Sequence, residues 1–157
     1  MDWVAPVSTA IGAVIGVGSA LLSERIRWRR DLRGRAVEAR RELYASFLTS
    51  FDATFRSLEA VERGTYLPDL SRAEAAEDAR AAHRLNAIRQ HIRITAPDRI
   101  VDAVDALYRD IKQACDLLGA GLDRGSEEVL HVVDNINQRA EAVRLEMRRD
   151  LGFLMQP

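Results

Sequence analysis

Few side chains in this sequence have the type and spacing of a chemical site. Glu128 and His131 match the Glu-x-x-His spacing that binds metal in di-iron helical bundles. Such a centre needs a second copy of the motif, and neither His83 nor His91 has a glutamate three residues before it. Glu128 and His131 also flank the apolar stripe of their own segment, which places them at its edge or in solvent. We therefore expect no metal site and no cofactor.

The single cysteine and the glycine-rich stretch after it give no sign of a reaction either. Cys115 falls on a predicted apolar helix face, where a cysteine is usually a small core residue. Gly119, Gly121 and Gly125 follow a predicted helix, whereas a dinucleotide-binding loop follows a strand. The sequence predicts a protein that is not an enzyme.

The elements around these residues begin with an uncharged stretch, Trp3 to Leu22, which reads WVAPVSTAIGAVIGVGSALL. At ~1.5 Å of rise per residue, a helix of this length matches the apolar core of a bilayer. A cluster of arginines follows it at once, which is typical of the cytoplasmic side of a membrane span. The cluster consists of Arg25, Arg27, Arg29, Arg30, Arg33 and Arg35.

This charge pattern also predicts the topology of the span. Because the positive charge follows the stretch, we expect a single-pass protein of the inner (cytoplasmic) membrane, with its N-terminus outside and its C-terminal domain in the cytoplasm. Trp3 and Trp28 then lie near the two interfaces. The stretch is rich in Ala, Gly, Ser and Thr, so a buried core helix and an interfacial segment remain alternatives.

The arginine cluster has two interpretations, contact with acidic lipid headgroups and contact with nucleic acid. The predicted topology already accounts for the cluster, and the rest of the chain is mildly acidic, although the whole chain has a net charge of only −1. We expect membrane lipid as a partner and no nucleic acid.

One face of the predicted span carries small residues at every fourth position, namely Ser8, Gly12, Gly16 and Ala20. Such a ridge allows the backbones of two membrane helices to approach closely. Small residues are also common in membrane helices that do not associate. The pattern favours a homo-oligomer formed through this ridge.

After the arginine cluster, apolar residues recur with helical periodicity to the end of the chain. Val37, Tyr44, Phe51 and Leu58 are spaced by sevens, in a stripe that suits a bundle core rather than the narrow seam of a two-stranded coiled coil. We expect Gly34 to interrupt the helix before this stripe. Three further amphipathic segments follow; they begin near Ser71, Pro97 and Ser126, and the first starts with a capping box formed by Ser71 and Glu74.

The expected fold is all-α, with an N-terminal transmembrane helix followed by an antiparallel cytoplasmic helical bundle. The bundle has three or four helices, because Thr95 to Pro97 can be either a kink in one helix or a reversal between two. We expect a transmembrane anchor over 1–23, an arginine-rich juxtamembrane segment over 24–35 and the bundle over 36–157.

Three segments resemble uncharacterised bacterial membrane-anchored helical proteins with a single span. They are RRELYASFL (Arg40 to Leu48), APDRIVDAVDAL (Ala96 to Leu107) and MRRDLG (Met147 to Gly152). The resemblance implies the same topology. It implies no activity and no functional residues.

Together these features predict a non-enzymatic, membrane-anchored interaction or scaffold protein that self-associates. One alternative is a membrane-perturbing or pore-forming effector assembled through the small-residue face of the span. Another is a small regulatory protein whose bundle docks a cytoplasmic protein partner.

Overall fold

A computed structural model describes residues 4–123 and 125–153, and the side chains of residues 28, 34–123 and 125–153. Within these residues the chain forms five helices and no strand. The helices are α1 (Val4–Glu62), α2 (Arg72–Ala82), α3 (Leu85–Thr95), α4 (Asp98–Gly119) and α5 (Glu127–Asp150). The expected all-α class is confirmed.

Helix α1 passes through Gly34 without the interruption that the sequence predicts. A glycine inside a helix costs only about 1 kcal/mol relative to alanine, which a helix of 59 residues tolerates. The helix ends at Glu62, and Gly64 two residues later has a φ of +74°, the left-handed conformation that follows a helix C-terminus.

The chain divides into two compact units, Met1–Ala39 and Arg40–Pro157. The second unit contains the hydrophobic core. Tyr44, Phe51 and Leu58 are buried there as predicted, but Val37 lies in the first unit and is exposed, so its assignment to the core is wrong.

Contacts between helices give the direction of each leg of the bundle. Leg one is α1 from Arg40 onward, leg two is α2 with α3, and legs three and four are α4 and α5. Along each pair of neighbouring legs, the residue numbers in contact rise in one leg as they fall in the other, so the legs alternate in direction. The contacts are Asp52–Arg144 between α1 and α5, Arg80–Tyr108 and Arg89–Asp105 between leg two and α4, and Arg99–Glu146 and Arg139–Asp110 between α4 and α5. The predicted antiparallel bundle is confirmed, with four legs.

The structure resolves the connection at Thr95 to Pro97, which the sequence left open, and corrects the second leg. Between α3 and α4 the chain reverses, because Ala96 and Pro97 are extended (ψ of 157° and 150°) and α4 then runs back along leg two. The second leg, expected as one helix from Ser71, is broken between α2 and α3 at Arg84, which has a left-handed φ of 56°. The capping box of Ser71 and Glu74 at the start of α2 is present as predicted.

The break at Arg84 has a physical reason in the pattern of buried residues. Ala75, Ala76 and Ala79 are buried on α2, and Leu85 and Ile92 are buried on α3. In one unbroken helix, at about 100° per residue, the two sets would point about 135° apart. The break rotates α3 so that both sets face the same core.

Two hydrogen-bonding serines of α1 hold this break in place. Ser50 Oγ donates to the His83 carbonyl oxygen at 2.5 Å, and Ser57 Oγ lies 2.8 Å from His83 Nε2. His83 is therefore a half-buried structural residue.

Candidate interaction surfaces

The residues considered for chemistry have structural or exposed positions. Cys115 is buried in the core, and burial raises the pKa of its thiol to about 12, so that it stays protonated at neutral pH. Glu128, His131 and His91 are exposed. Among the described residues, no group of three or more His, Cys, Asp or Glu side chains is placed to hold a metal ion.

A small apolar cavity lies between α1, α4 and α5, on the side of the bundle where α5 begins. Its volume is about 30 Å³. Its apolar lining consists of Phe55, Leu58, Ala114, Leu118, Val129, Val132 and Val133, with Glu59 and Glu62 beside them.

The predicted membrane residues fall mostly outside the described side chains. The backbone from Val4 onward belongs to α1. The residues whose side chains lie outside the described part are Trp3, Ser8, Gly12, Gly16, Ala20, Arg25, Arg27, Arg29, Arg30 and Arg33. Trp28, 65% exposed, and Arg35 are the two with described side chains, and both are exposed. Among the described residues, no helix combines the length and apolar character of a membrane span.

At the end of the bundle where leg one begins, three helices meet around one carboxylate. The Asp150 side chain is only 7% exposed. Tyr44 donates its hydroxyl to Asp150 Oδ2 at 2.9 Å, and Arg40 and Arg99 lie 3.6 and 3.5 Å from the two carboxylate oxygens. Arg99 also pairs with Glu146 at 3.4 Å. We call these five residues the Asp150 cluster; it joins α1, α4 and α5.

The environment of Tyr44 favours its protonated form. Burial of the phenol, together with its hydrogen bond to Asp150, raises the Tyr44 pKa above its ordinary value of about 10. The stabilising contribution of the neutral phenol is complete below about pH 10 and is lost as the pH rises toward the higher folded-state pKa.

A second polar cluster holds α2 and α3 against α4. The Arg89 guanidinium lies 4.2 Å from the centre of the Tyr108 ring, and Arg80 Nη1 donates to the Tyr108 hydroxyl at 2.6 Å. Arg80 also pairs with Glu77, and this hydrogen bond raises the Arg80 pKa. The buried Tyr108 thus connects three helices, which explains its position structurally.

An apolar groove of about 380 Å³ lies beside the Asp150 cluster, between α1 and α5. Its outermost residue, Phe153, is 66% exposed. We call it the Phe153 groove; it is lined by Tyr44, Leu48, Arg144, Met147, Arg148, Leu151 and Phe153.

Gly152 places Phe153 at the mouth of this groove. Its φ of +78° turns the chain at the end of α5. The Phe153 amide then donates to the Arg148 carbonyl oxygen at 3.0 Å, so the chain folds back over the last turn of the helix.

The sequence reasoning missed both the Asp150 cluster and the Phe153 groove. The Tyr44–Asp150 contact spans 106 residues, so no local pattern contains it. A local signal did exist for Phe153, because a glycine directly after a helix with a basic last turn marks a left-handed helix end.

In the part of the chain that the structure describes, the fold is an antiparallel all-α bundle with polar clusters that join its helices and an apolar groove at one end. Comparison with protein-family models, with curated proteins and with solved structures finds no match for this chain.

Proposed function

We propose that this protein is a non-enzymatic, membrane-anchored helical interaction protein that self-associates through its N-terminal span. One observation carries the proposal. The uncharged stretch from Trp3 to Leu22 contains the ridge of Ser8, Gly12, Gly16 and Ala20 and is followed at once by six arginines. This combination is typical of an associating membrane helix with a cytoplasmic anchor.

The side chains of the bundle support a role in interaction rather than in catalysis. The thiol of Cys115 is buried and protonated, and Asp150 and Tyr108 are engaged in clusters that join helices. The described cavity beside Phe55 has a volume of about 30 Å³, enough for only about two or three water molecules. The Phe153 groove is the surface on which we expect contacts to form.

Membrane lipid is the first partner we propose. When the cluster from Arg25 to Arg35 lies at the surface of the cytoplasmic leaflet, each of its arginines contributes about 1 kcal/mol of attraction to anionic lipid. Trp28, which is 65% exposed, has the amphipathic ring that is common at a membrane interface. In this arrangement the bundle lies in the cytoplasm, at the inner membrane.

Replacing Gly12 and Gly16 together with isoleucine should strongly reduce cross-linked oligomers in native membranes, because the added side chains hold the two backbones apart. The matched control is Gly18→Ile, the same change on the helix face away from the ridge. We expect Gly18→Ile to cross-link like the unmodified chain. Equal cross-linking of all three chains would remove the ridge from the proposal.

The same ridge supports one alternative, a pore-forming effector assembled from several spans. The two functions differ in a leakage assay with purified protein in dye-loaded liposomes. An interaction protein leaves the dye enclosed, whereas a pore releases it, and Gly12→Ile with Gly16→Ile then stops the release.

A further inference from the structure

One end of the bundle exposes apolar side chains that the fold does not cover. Phe153 after α5 is 66% exposed and Ile94 at the end of α3 is 81% exposed. Both lie at the end that holds the Asp150 cluster, since Asp150 is three residues from Phe153 and Arg99 follows Ile94 across the reversal at Pro97. Leu67 and Leu130 are also exposed, at 64% and 49%, but they lie at the opposite end. We call the end with Phe153 and Ile94 the Phe153 end.

The Phe153 groove adds positive charge to this apolar end. Arg148 is exposed and has no ion-pair partner among the residues that the structure describes. Its neighbour Arg144 is engaged with Glu141 and Asp52. A free guanidinium beside an apolar groove is suited to a ligand that carries both an anionic and an apolar part.

The two ends of α5 differ in charge. Its last turn contains Arg148 and Arg149, whereas its first turn contains Glu127 and Glu128. The surface around that first turn also carries Asp134. An anionic surface therefore attracts the Phe153 end of this helix and repels the other end.

The chain itself connects the Phe153 end to the predicted juxtamembrane segment. Leg one begins at Arg40, whose guanidinium lies 3.6 Å from Asp150 at this same end. Only residues 36–39 separate Arg40 from the arginine-rich segment 24–35. The arginines predicted to contact the membrane therefore directly precede leg one in the sequence.

We propose that the Phe153 end of the bundle binds the surface of an anionic lipid bilayer, with Phe153 among the acyl chains and Arg148 on a lipid phosphate. This inference rests on the proposed membrane anchoring and adds a second membrane contact to it. Both residue types are common in proteins that bind a membrane surface. Phenylalanine buries its ring among the acyl chains, and arginine attracts the anionic headgroups.

The test uses the full chain with Trp3 and Trp28 replaced by phenylalanine, so that a single tryptophan reports on its surroundings. Phe153→Trp places the reporter at the groove, and Leu130→Trp places it on an exposed position of the same helix at the opposite end. Each chain is reconstituted into vesicles of phosphatidylcholine alone or with phosphatidylglycerol, in both cases with brominated acyl chains as the quencher.

In vesicles with phosphatidylglycerol, we expect several-fold stronger quenching of the F153W chain than of the L130W chain. Adding Arg148→Glu should remove most of that quenching. The matched control Arg109→Glu, an exposed arginine in the middle of α4, should leave it unchanged.

Two outcomes overturn the inference. Equal, weak quenching of the F153W and L130W chains shows that the groove stays in water. A blue shift of F153W emission that depends on protein concentration but not on bromolipid shows that a second copy covers the groove. Vesicle flotation is measured in parallel: loss of flotation contradicts the membrane anchor, whereas flotation without quenching contradicts only the lipid contact of the groove.

Discussion

Replacing Phe47 with alanine should lower the free energy of unfolding by about 3 to 5 kcal/mol, the usual cost of removing a buried aromatic ring. Phe47 has 0% exposure and belongs to the core that all four legs share. A domain of this size is stable by only about 5 to 15 kcal/mol, so the substitution removes a large part of its stability. Urea denaturation of the full chain in mild detergent, followed by circular dichroism, measures the change.

The matched control for this prediction is Phe153→Ala, the same substitution at a phenylalanine that is 66% exposed. Its effect on unfolding should stay below about 1 kcal/mol, as for other surface changes. If Phe47→Ala and Phe153→Ala destabilise the protein equally, the core is not arranged as described.

Replacing Asp150 with alanine should destabilise the bundle by about 2 to 4 kcal/mol. The substitution leaves the Tyr44 hydroxyl without its acceptor and leaves Arg40 and Arg99 without a shared anion. Breaking a fully buried ion pair costs about 3 to 5 kcal/mol, and the value here is lower because Arg99 is 54% exposed and therefore solvated. The same denaturation experiment gives the free energy.

A double-mutant cycle tests whether Tyr44 and Asp150 interact as the structure indicates. Tyr44→Phe alone should cost about 1 kcal/mol, and its effect should largely vanish when Asp150 is already alanine. Because the folded state raises the Tyr44 pKa, stability should also fall above about pH 10, and Tyr44→Phe should flatten that fall. Strictly additive effects would show that the hydrogen bond does not contribute.

Much of the fold follows from apolar spacing, because a helix that buries one face must repeat its apolar residues at threes and fours. The apolar residues that repeat with this spacing around Tyr44, Ile100 and Ile136 are buried, as the spacing predicts. The break at Arg84 was also readable in principle, since the alanines of α2 and the apolar residues of α3 fall on different faces of one continuous helix. It was missed because no glycine or proline marks it.

The candidate surfaces were less predictable because they depend on residues far apart in sequence. Tyr44 and Asp150 belong to opposite ends of the bundle's sequence, and only the alternating direction of the legs brings them together. The Phe153 groove arises in the same way, from the approach of Leu48 on α1 to Leu151 after α5. Periodicity predicts which face of a helix is buried, but not which polar residues meet at its ends.

The most direct test of the membrane-anchored arrangement is the accessibility of two single cysteines in intact spheroplasts of a bacterial host. Asp2→Cys and Leu130→Cys, each combined with Cys115→Ala, are treated with a membrane-impermeant maleimide. We predict labelling of the D2C chain in intact spheroplasts and labelling of the L130C chain only after the membrane is opened. Labelling of the L130C chain in intact spheroplasts, or recovery of both chains in the soluble fraction, would contradict the proposed anchor and its orientation.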